Sequence, residues 1–373
     1  MRQKKVYFIV GIIIVLLGLT GVLKITPIQS IALFRNFTRP LTPTISSTVT
    51  NTPSPSVTAS MTATPTPEPS LTRTATITPT RIPTSQLVPS AVSTPGGVSL
   101  TTPIVVYAAG DIAECNGTLP DKSTGAMMTS RMLLNTSGPI FTLGDDSNDS
   151  GTKKDYDNCY QPTWGSLLER TYPVMGNHDV SPDNQGLAYF SYFAGMTGVW
   201  GHYSLDLGTW HIIILNAECG IGGQGCYYGS PQEKWLRVDL AATKQKCIMA
   251  LWHQPLFTSG GQSPDQAVQS FWFDLYNYKA DIILNGHNHM YERFVPLNPY
   301  GIAVTNGIRQ FVVGTGGAPL EYKPRQPAAG EVIRDATTFG YLKLTLLSDS
   351  YTWRFVPKSG DSFTDSGTAY CHR

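Results

Sequence analysis

Thr171-Tyr172-Pro173-Val174-Met175-Gly176-Asn177-His178-Asp179 is the stretch on which the reading of this chain turns. A short apolar run feeds a glycine turn that sets an amide, an imidazole and a carboxylate side by side at one strand end. Four more apolar runs end in the same way. They are Ile104–Ala109 before Gly110-Asp111, 140–143 before Gly144-Asp145, 248–252 before His253, and Ile282–Asn285 before Gly286-His287-Asn288-His289. Each is short, rich in Val, Ile and Leu, and closed by Gly or a polar residue, which predicts a buried strand of an α/β sheet. In such sheets ligands gather outside the carboxyl ends of the strands. Five strands therefore deliver Asp111, Asp145, Asn177, His178, His253, His287 and His289 to one edge. A single Gly-Asp reads better as a cap on its own strand; five coincidences do not. Carboxylate, amide and imidazole without thiolate are the donors that two hard-to-borderline divalent metal ions take.

Helices fit between these strands. Ser230-Pro231-Gln232-Glu233 has the form of a capping box with proline at the first helical position, and it opens an amphipathic run through Trp235, Leu236 and Leu240. Residues 123–134 and 265–278 read as two more helices. Further strands are expected over 211–215 and 310–313, with a hairpin over 341–356 turning at Ser348-Asp349-Ser350. This alternation predicts an α/β or mixed α+β architecture.

The chain is 373 residues long and not uniform. Residues 1–5 carry Arg2, Lys4 and Lys5, and 6–23 follow without a charge. Eighteen helical residues span about 27 Å, near the lower limit for crossing a bilayer. The basic end is then expected to stay cytoplasmic and the rest to be exported. The length of the apolar run and the absence of an Ala-x-Ala pattern favour an uncleaved transmembrane signal-anchor over a cleaved signal peptide. Residues 24–103 form a linker. From Thr38 onward it is Thr, Pro and Ser with one acid, Glu68, a composition that cannot offset its ordering entropy and predicts an extended, solvated stalk.

Residues 104–373 then make one folded domain, large enough for a substantial core. The whole chain has formal charge +1, but this domain holds 19 Lys and Arg against 25 Asp and Glu. A net acidic domain with no basic stripe argues against nucleic acid as a partner. All six cysteines fall here: Cys115, Cys159, Cys219, Cys226, Cys247 and Cys371. An even number outside the cytoplasm implies disulfides, with several connectivities open. Cys219 with Cys226 would close a glycine-rich loop on itself, Cys115 with Cys159 would tie the loops after the first two ligand-bearing strands, and Cys247 with Cys371 would pin the C-terminus. A zinc-thiolate site is the rival reading, and no Cys-x-x-Cys spacing supports it.

Taken in order, Gly110-Asp111, Gly144-Asp145, Gly176-Asn177-His178-Asp179, Trp252-His253 and Gly286-His287-Asn288-His289-Met290-Tyr291-Glu292-Arg293 resemble the five sequence blocks of the calcineurin-like metallophosphoesterase superfamily. The Tyr-Glu-Arg ending and Gly314-Thr315-Gly316-Gly317 resemble its purple acid phosphatase-like branch. The resemblance covers residues 104–373 and not the anchor or stalk. It implies a sandwich of two β-sheets flanked by helices. It also implies two divalent or trivalent metal ions of the Fe, Zn or Mn kind, with Asp145 shared, Asn177, His253 and His287 completing one site, and Asp111 and His289 belonging to the other. Two such ions hold a hydroxide nucleophile and neutralise a phosphoryl group. His178, next to Asn177, is then placed to protonate the leaving oxygen as general acid; the plainer alternative is a residue that orients a ligand.

The chain departs from the family pattern at two positions. Purple acid phosphatases carry a tyrosine three residues after the shared aspartate, where this chain has Asn148. Other members carry a histidine two residues after the first aspartate, where this chain has Ala113. Asn148 is the candidate replacement ligand, and no purple chromophore is expected. The expected function is a membrane-anchored, extracytoplasmic phosphatase acting on a small phosphate monoester. The alternatives are a phosphodiesterase or a catalytically weak, metal-containing surface binding module. Residues 184–200 and 319–334 are the expected specificity loops. Of the other histidines, His202 is a candidate to line the cleft, His211 reads as structural and His372 as solvent-exposed. Tyr291 and Arg293 are expected to pack and pair with neighbours, Arg293 reaching phosphate only as a remote option.

Overall fold

The computed structural model describes residues 102–120, 124–180, 185–321 and 323–373. The expected cytoplasmic end, membrane anchor and nearly all of the linker lie outside the described residues. Among the described residues no helix is long and apolar enough to cross a membrane.

In chain order the strands are β1 Ile104–Ala109, β2 Ile140–Thr142, β3 Thr171–Tyr172, β4 Tyr203–Leu207, β5 Trp210–Ile214, β6 Cys247–Leu251, β7 Ile282–Asn285, β8 Tyr291–Leu297, β9 Ile308–Val313, β10 Glu331–Asp335, β11 Gly340–Leu346, β12 Ser350–Pro357 and β13 Ser366–Tyr370. They form two sheets, ordered β13-β12-β11-β1-β2-β3 and β10-β8-β9-β7-β6-β5-β4. In the first, β1, β2 and β3 are parallel; in the second, β5, β6, β7 and β9 are. The expected two-sheet α/β sandwich is therefore present.

The near-continuous apolar runs of β5, β6 and β7 follow from burial on both faces. Ile212, Ile214, Met249, Leu251, Ile282 and Leu284 join the first sheet's Val106, Phe141, Leu342 and Leu344 in one core. The alternate residues Ile213, Ile248, Ala250 and Ile283 face Leu236, Leu240, Phe271 and Leu275 in a second. Those four come from the helices Pro231–Ala242 and Gln269–Asn277.

Local chemistry sets the element ends. The 171–175 run is a strand only over Thr171–Tyr172, because Pro173 has no N–H to continue the ladder. Ser230 caps its helix by accepting from Glu233 N at 3.4 Å. The reciprocal half of the expected box is not made: Glu233 instead accepts from Gly229 N and pairs with Arg237. The first helix runs over Gly125–Leu134 from an N-cap at Thr124. The hairpin turns between Leu346 and Ser350 as expected.

All three disulfides suggested by position are formed: Cys115–Cys159, Cys219–Cys226 and Cys247–Cys371. The last lies beside Asp281, a buried carboxylate that accepts from Ile248 N and His372 N. His372 is therefore half-buried against Asp281 rather than solvent-exposed, because the disulfide at Cys371 draws the terminus onto the sheet. His211 is structural, with Nδ1 2.7 Å from Asp206 and Nε2 2.8 Å from Asp239.

Candidate metal centre

The parallel strands of both sheets end at the same place. Gly110 N donates to Val313 O at the end of β9, and Gly316 N donates back to Gly110 O, so the edge of β1 is stitched to the other sheet. Asp111 N and Ile112 N donate to Gly144 O and Asp145 O, continuing the β1–β2 pairing past both aspartates. This close approach of backbones needs glycine. A Cβ on Gly176 would lie 2.3 Å from both Asp145 N and Asp145 Oδ1.

The strand-end residues meet. His253 Nε2 is 3.1 Å from Asp145 Oδ2 and 4.0 Å from Asp111 Oδ1. His289 Nε2 is 3.4 Å from the same Asp111 oxygen, and His287 Nδ1 is 3.3 Å from His253 Nε2. Ligand atoms of Asp145, His253 and His287 all lie within 4.8 Å of one another. The outer ring nitrogens are fixed by main chain: His253 Nδ1 donates to Leu143 O and His289 Nδ1 to Pro319 O, both at 2.7 Å. Each of these two rings thus turns Nε2 inward, the arrangement by which proteins orient metal-binding imidazoles.

Backbone strain marks the same residues. Asp111, Asp145 and His287 have φ of 57°, 51° and 72°, a region that costs side-chain-bearing residues of order 1–3 kcal/mol each. Hydrogen bonds hold them there: His287 N donates to Asp111 Oδ2 and His178 N to Asp145 Oδ1.

Electrostatics follow from burial and pairing. Burial alone would raise the Asp145 carboxyl, but the charge and hydrogen bond of His253, then His178, bring it down to about 2. Burial would lower His253, and the Asp145 and Asp111 carboxylates overcome it, raising the imidazole to about 10. His289 is raised to about 9 by Asp111 against its burial. His287, buried and repelled by His253, falls to about 4.

His178 sits at the rim, its side chain 40% exposed. Its Nδ1 is 2.8 Å from Asp149 O, and its Nε2 is 4.0 Å from Asp145 Oδ2. Asn148 is buried, its Nδ2 donating to Glu114 Oε2 at 2.9 Å. Arg293 does not reach this centre; it forms a two-pronged pair with Asp365, which also accepts from Tyr291 and Trp353. His202 packs against Trp235 with the rings tilted 55° to each other, 4.7 Å between centroids.

Three residues of the site's support escaped the sequence reading. Asp179 accepts from Gly176 N, Asp146 N, Ser147 N and Tyr156 OH, gathering the loops after β2 and β3 on one carboxylate. Glu292 accepts from Thr258 and Ser259 and fixes the loop after His253. Glu218 accepts from Gln254 Nε2, next to His253. Glu218 had a signal, since it follows β5 as the candidate site residues follow their strands; Glu292 and Asp179 had only their place inside a motif.

The sequence model of the calcineurin-like phosphoesterase family matches residues 105–291, half of the chain. The chain belongs to that family. Purple acid phosphatase 23 of Arabidopsis thaliana is 29% identical over 178 residues, 42% of this chain and 38% of that protein. Acid phosphatase type 7 of Homo sapiens is 28% identical over 227 residues, 51% of this chain and 50% of that protein. The chain thus spans half or less of the length of these two relatives. A purple acid phosphatase from yellow lupin (Lupinus luteus) seeds shares the fold, with a TM-score of 0.60 at 20% identity over 72% of this chain and 54% of that one. Within the family, the chain is purple acid phosphatase-like.

Proposed function

We propose that this chain is a metal-dependent phosphoric ester hydrolase that cleaves phosphate monoesters. The observation that carries the reading is the convergence of donors from both sheets, with Asp111 Oδ1 and Asn177 Oδ1 left as buried oxygens without a hydrogen-bond partner. Buried acceptors are rarely left unpaired, and a cation is one explanation when several meet. The donor set fits: carboxylates, an amide oxygen and inward-facing imidazoles suit divalent or trivalent ions of the Fe, Zn or Mn kind.

In this reading Asp145 serves both ions, Asn177, His253 and His287 hold one, and Asp111 and His289, with Asn148, hold the other. Two ions so held supply Lewis acidity and charge neutralisation for a phosphoryl group and for the water that attacks it. The chain's own part is positioning and proton transfer. The backbone of His178 is fixed on Asp145, and its Nδ1 faces the carbonyl of Asp149, an acceptor, so that nitrogen carries a proton. The second nitrogen, at the exposed rim, is free to deliver a proton to the leaving oxygen from the imidazolium form.

We place the domain outside the cytoplasm, anchored by residues 6–23. Three disulfides support an oxidising compartment, and the charge-free apolar run supports the anchor. Protease digestion of the domain on intact cells tests this; full protection would overturn it.

The function is tested by elemental analysis of the purified chain together with hydrolysis of an aryl phosphate monoester and diester. Two ions per chain and a preference for the monoester are expected. Diester preference would revise the substrate class. One ion and no turnover under any metal supplement would leave a metal-containing binding module.

A further inference from the structure

Asn148 is 4% exposed, and its side chain is used on one side only. Its Nδ2 donates to Glu114 Oε2, while its Oδ1 is buried and has no hydrogen-bond partner. A carboxylate accepts and cannot donate, so the contact with Glu114 fixes which way the amide faces: nitrogen to Glu114, oxygen away from it. The surrounding loop leaves little room to turn. Asn148 N donates to Ala113 O at 2.8 Å, Cys115 N donates to Asp149 Oδ2 at 2.8 Å, and Cys115 is bonded to Cys159. Residues 113–115 are thereby locked to residues 148–149 on both sides of the Glu114–Asn148 contact. On one flank stands Asp145, three residues earlier; on the other stands Asp149, whose carbonyl meets His178.

We propose that Glu114 is a positioning residue that holds the Asn148 amide so that its oxygen serves as a neutral donor to the ion of Asp111 and His289. The inference rests on the two-ion reading above. A neutral amide oxygen adds no negative charge to that site, which suits a divalent ion such as Mn2+ better than a trivalent one.

The test is calorimetric titration of Mn2+ into the chelator-stripped full-length chain, with bound ions counted by elemental analysis and folding checked by melting. Glu114→Ala and Asn148→Ala should each weaken the second ion by roughly 10–100-fold, as loss of a ligand's support does, and leave the first unchanged. Glu114→Gln still offers an oxygen to Asn148 Nδ2 and should stay within about threefold of wild type. Wild-type binding of both ions in Glu114→Ala would overturn the proposal. So would a loss in Glu114→Gln as large as in Glu114→Ala, since charge or direct ligation would then be at work. If Glu114→Ala does not fold, Asn148→Ala reads the same donor, and two ions held there at wild-type strength overturn it equally. A wild-type chain that binds fewer than two ions fails the two-ion reading itself, and this inference with it, whatever the variants do.

Discussion

Asp145, at the end of β2 in one sheet, and His253, at the end of β6 in the other, meet at 3.1 Å with both side chains buried. The contact closes the two sheets over the candidate centre and sets a carboxylate and an imidazole where a cation would compete for both. Adding Mn2+ or Zn2+ to the chelator-treated chain at about a hundred times its Kd should raise stability by ~2.7 kcal/mol, on the order of 5–10 °C in Tm. Asp145→Asn should remove most of that rise. A chain whose melting ignores both chelator and metal does not hold ions there.

Replacing His178 by Ala should lower kcat by ~10²–10⁴, the usual worth of a positioned general acid. The bound metal count should not change, because the hydrogen bond from His178 to Asp145 is made by the backbone N–H, which alanine keeps. A smaller loss with an activated leaving group such as p-nitrophenol than with an alkyl phosphate would identify proton donation. Equal losses would point to an orienting role instead.

Asp179 gathers three backbone N–H groups and the Tyr156 hydroxyl on one fully buried carboxylate. Asp179→Ala strands those donors at roughly 1–3 kcal/mol each, so a loss of about 3 kcal/mol or more is expected in urea unfolding. Tyr156→Phe removes one of them and should cost about 1 kcal/mol.

Gly176→Ala places a methyl 2.3 Å from Asp145 N and Oδ1. Backbone must move at the residue assigned to both ions, so metal affinity should fall more than stability does. Equal metal affinity in the variant and wild type would show that the Asp145 loop is looser than the packing implies.

Burial raises the carboxyl of Asp281 to about 7, against hydrogen bonds from Ile248 and His372 that lower it. Between the ordinary carboxyl value and about 7 the folded chain keeps a proton that the unfolded chain has lost. Stability from this group is therefore full at low pH, falls as pH rises through that window, and is flat above it; at ~1.4 kcal/mol per unit the whole fall is ~4 kcal/mol at most. Asp281→Asn cannot ionise and should lack this slope, so the Tm difference from wild type should drift by several degrees between pH 4 and 7. Parallel melting curves would count against it.

Much of the fold was legible because burial leaves a one-dimensional trace. A strand covered on both faces must be apolar throughout, and β1, β6 and β7 stand within a residue of where their apolar runs fall. Ser230 and Pro231 marked the start of their helix, because capping is a local transaction. The 171–175 run was overread because the proline within it outweighed its hydrophobicity.

The site residues were legible for a related reason: polar side chains directly after buried strands have few roles that do not involve the sheet edge. Asp111, Asp145, His253, His287 and His289 do converge there, and the cysteine pairs follow the same positional logic.

What the sequence determined, then, is whatever depends on neighbours along the chain: strand and helix identity, the turns that carry the candidate metal-binding residues and the glycines beside them. What only the tertiary structure decided depends on residues far apart in number. Glu114 meets Asn148 across 34 positions, Arg293 is claimed by Asp365 across 72, and His372 is drawn onto Asp281 across 91. No local pattern encodes such pairs, since each is set by where two separate backbones come to rest against a shared core.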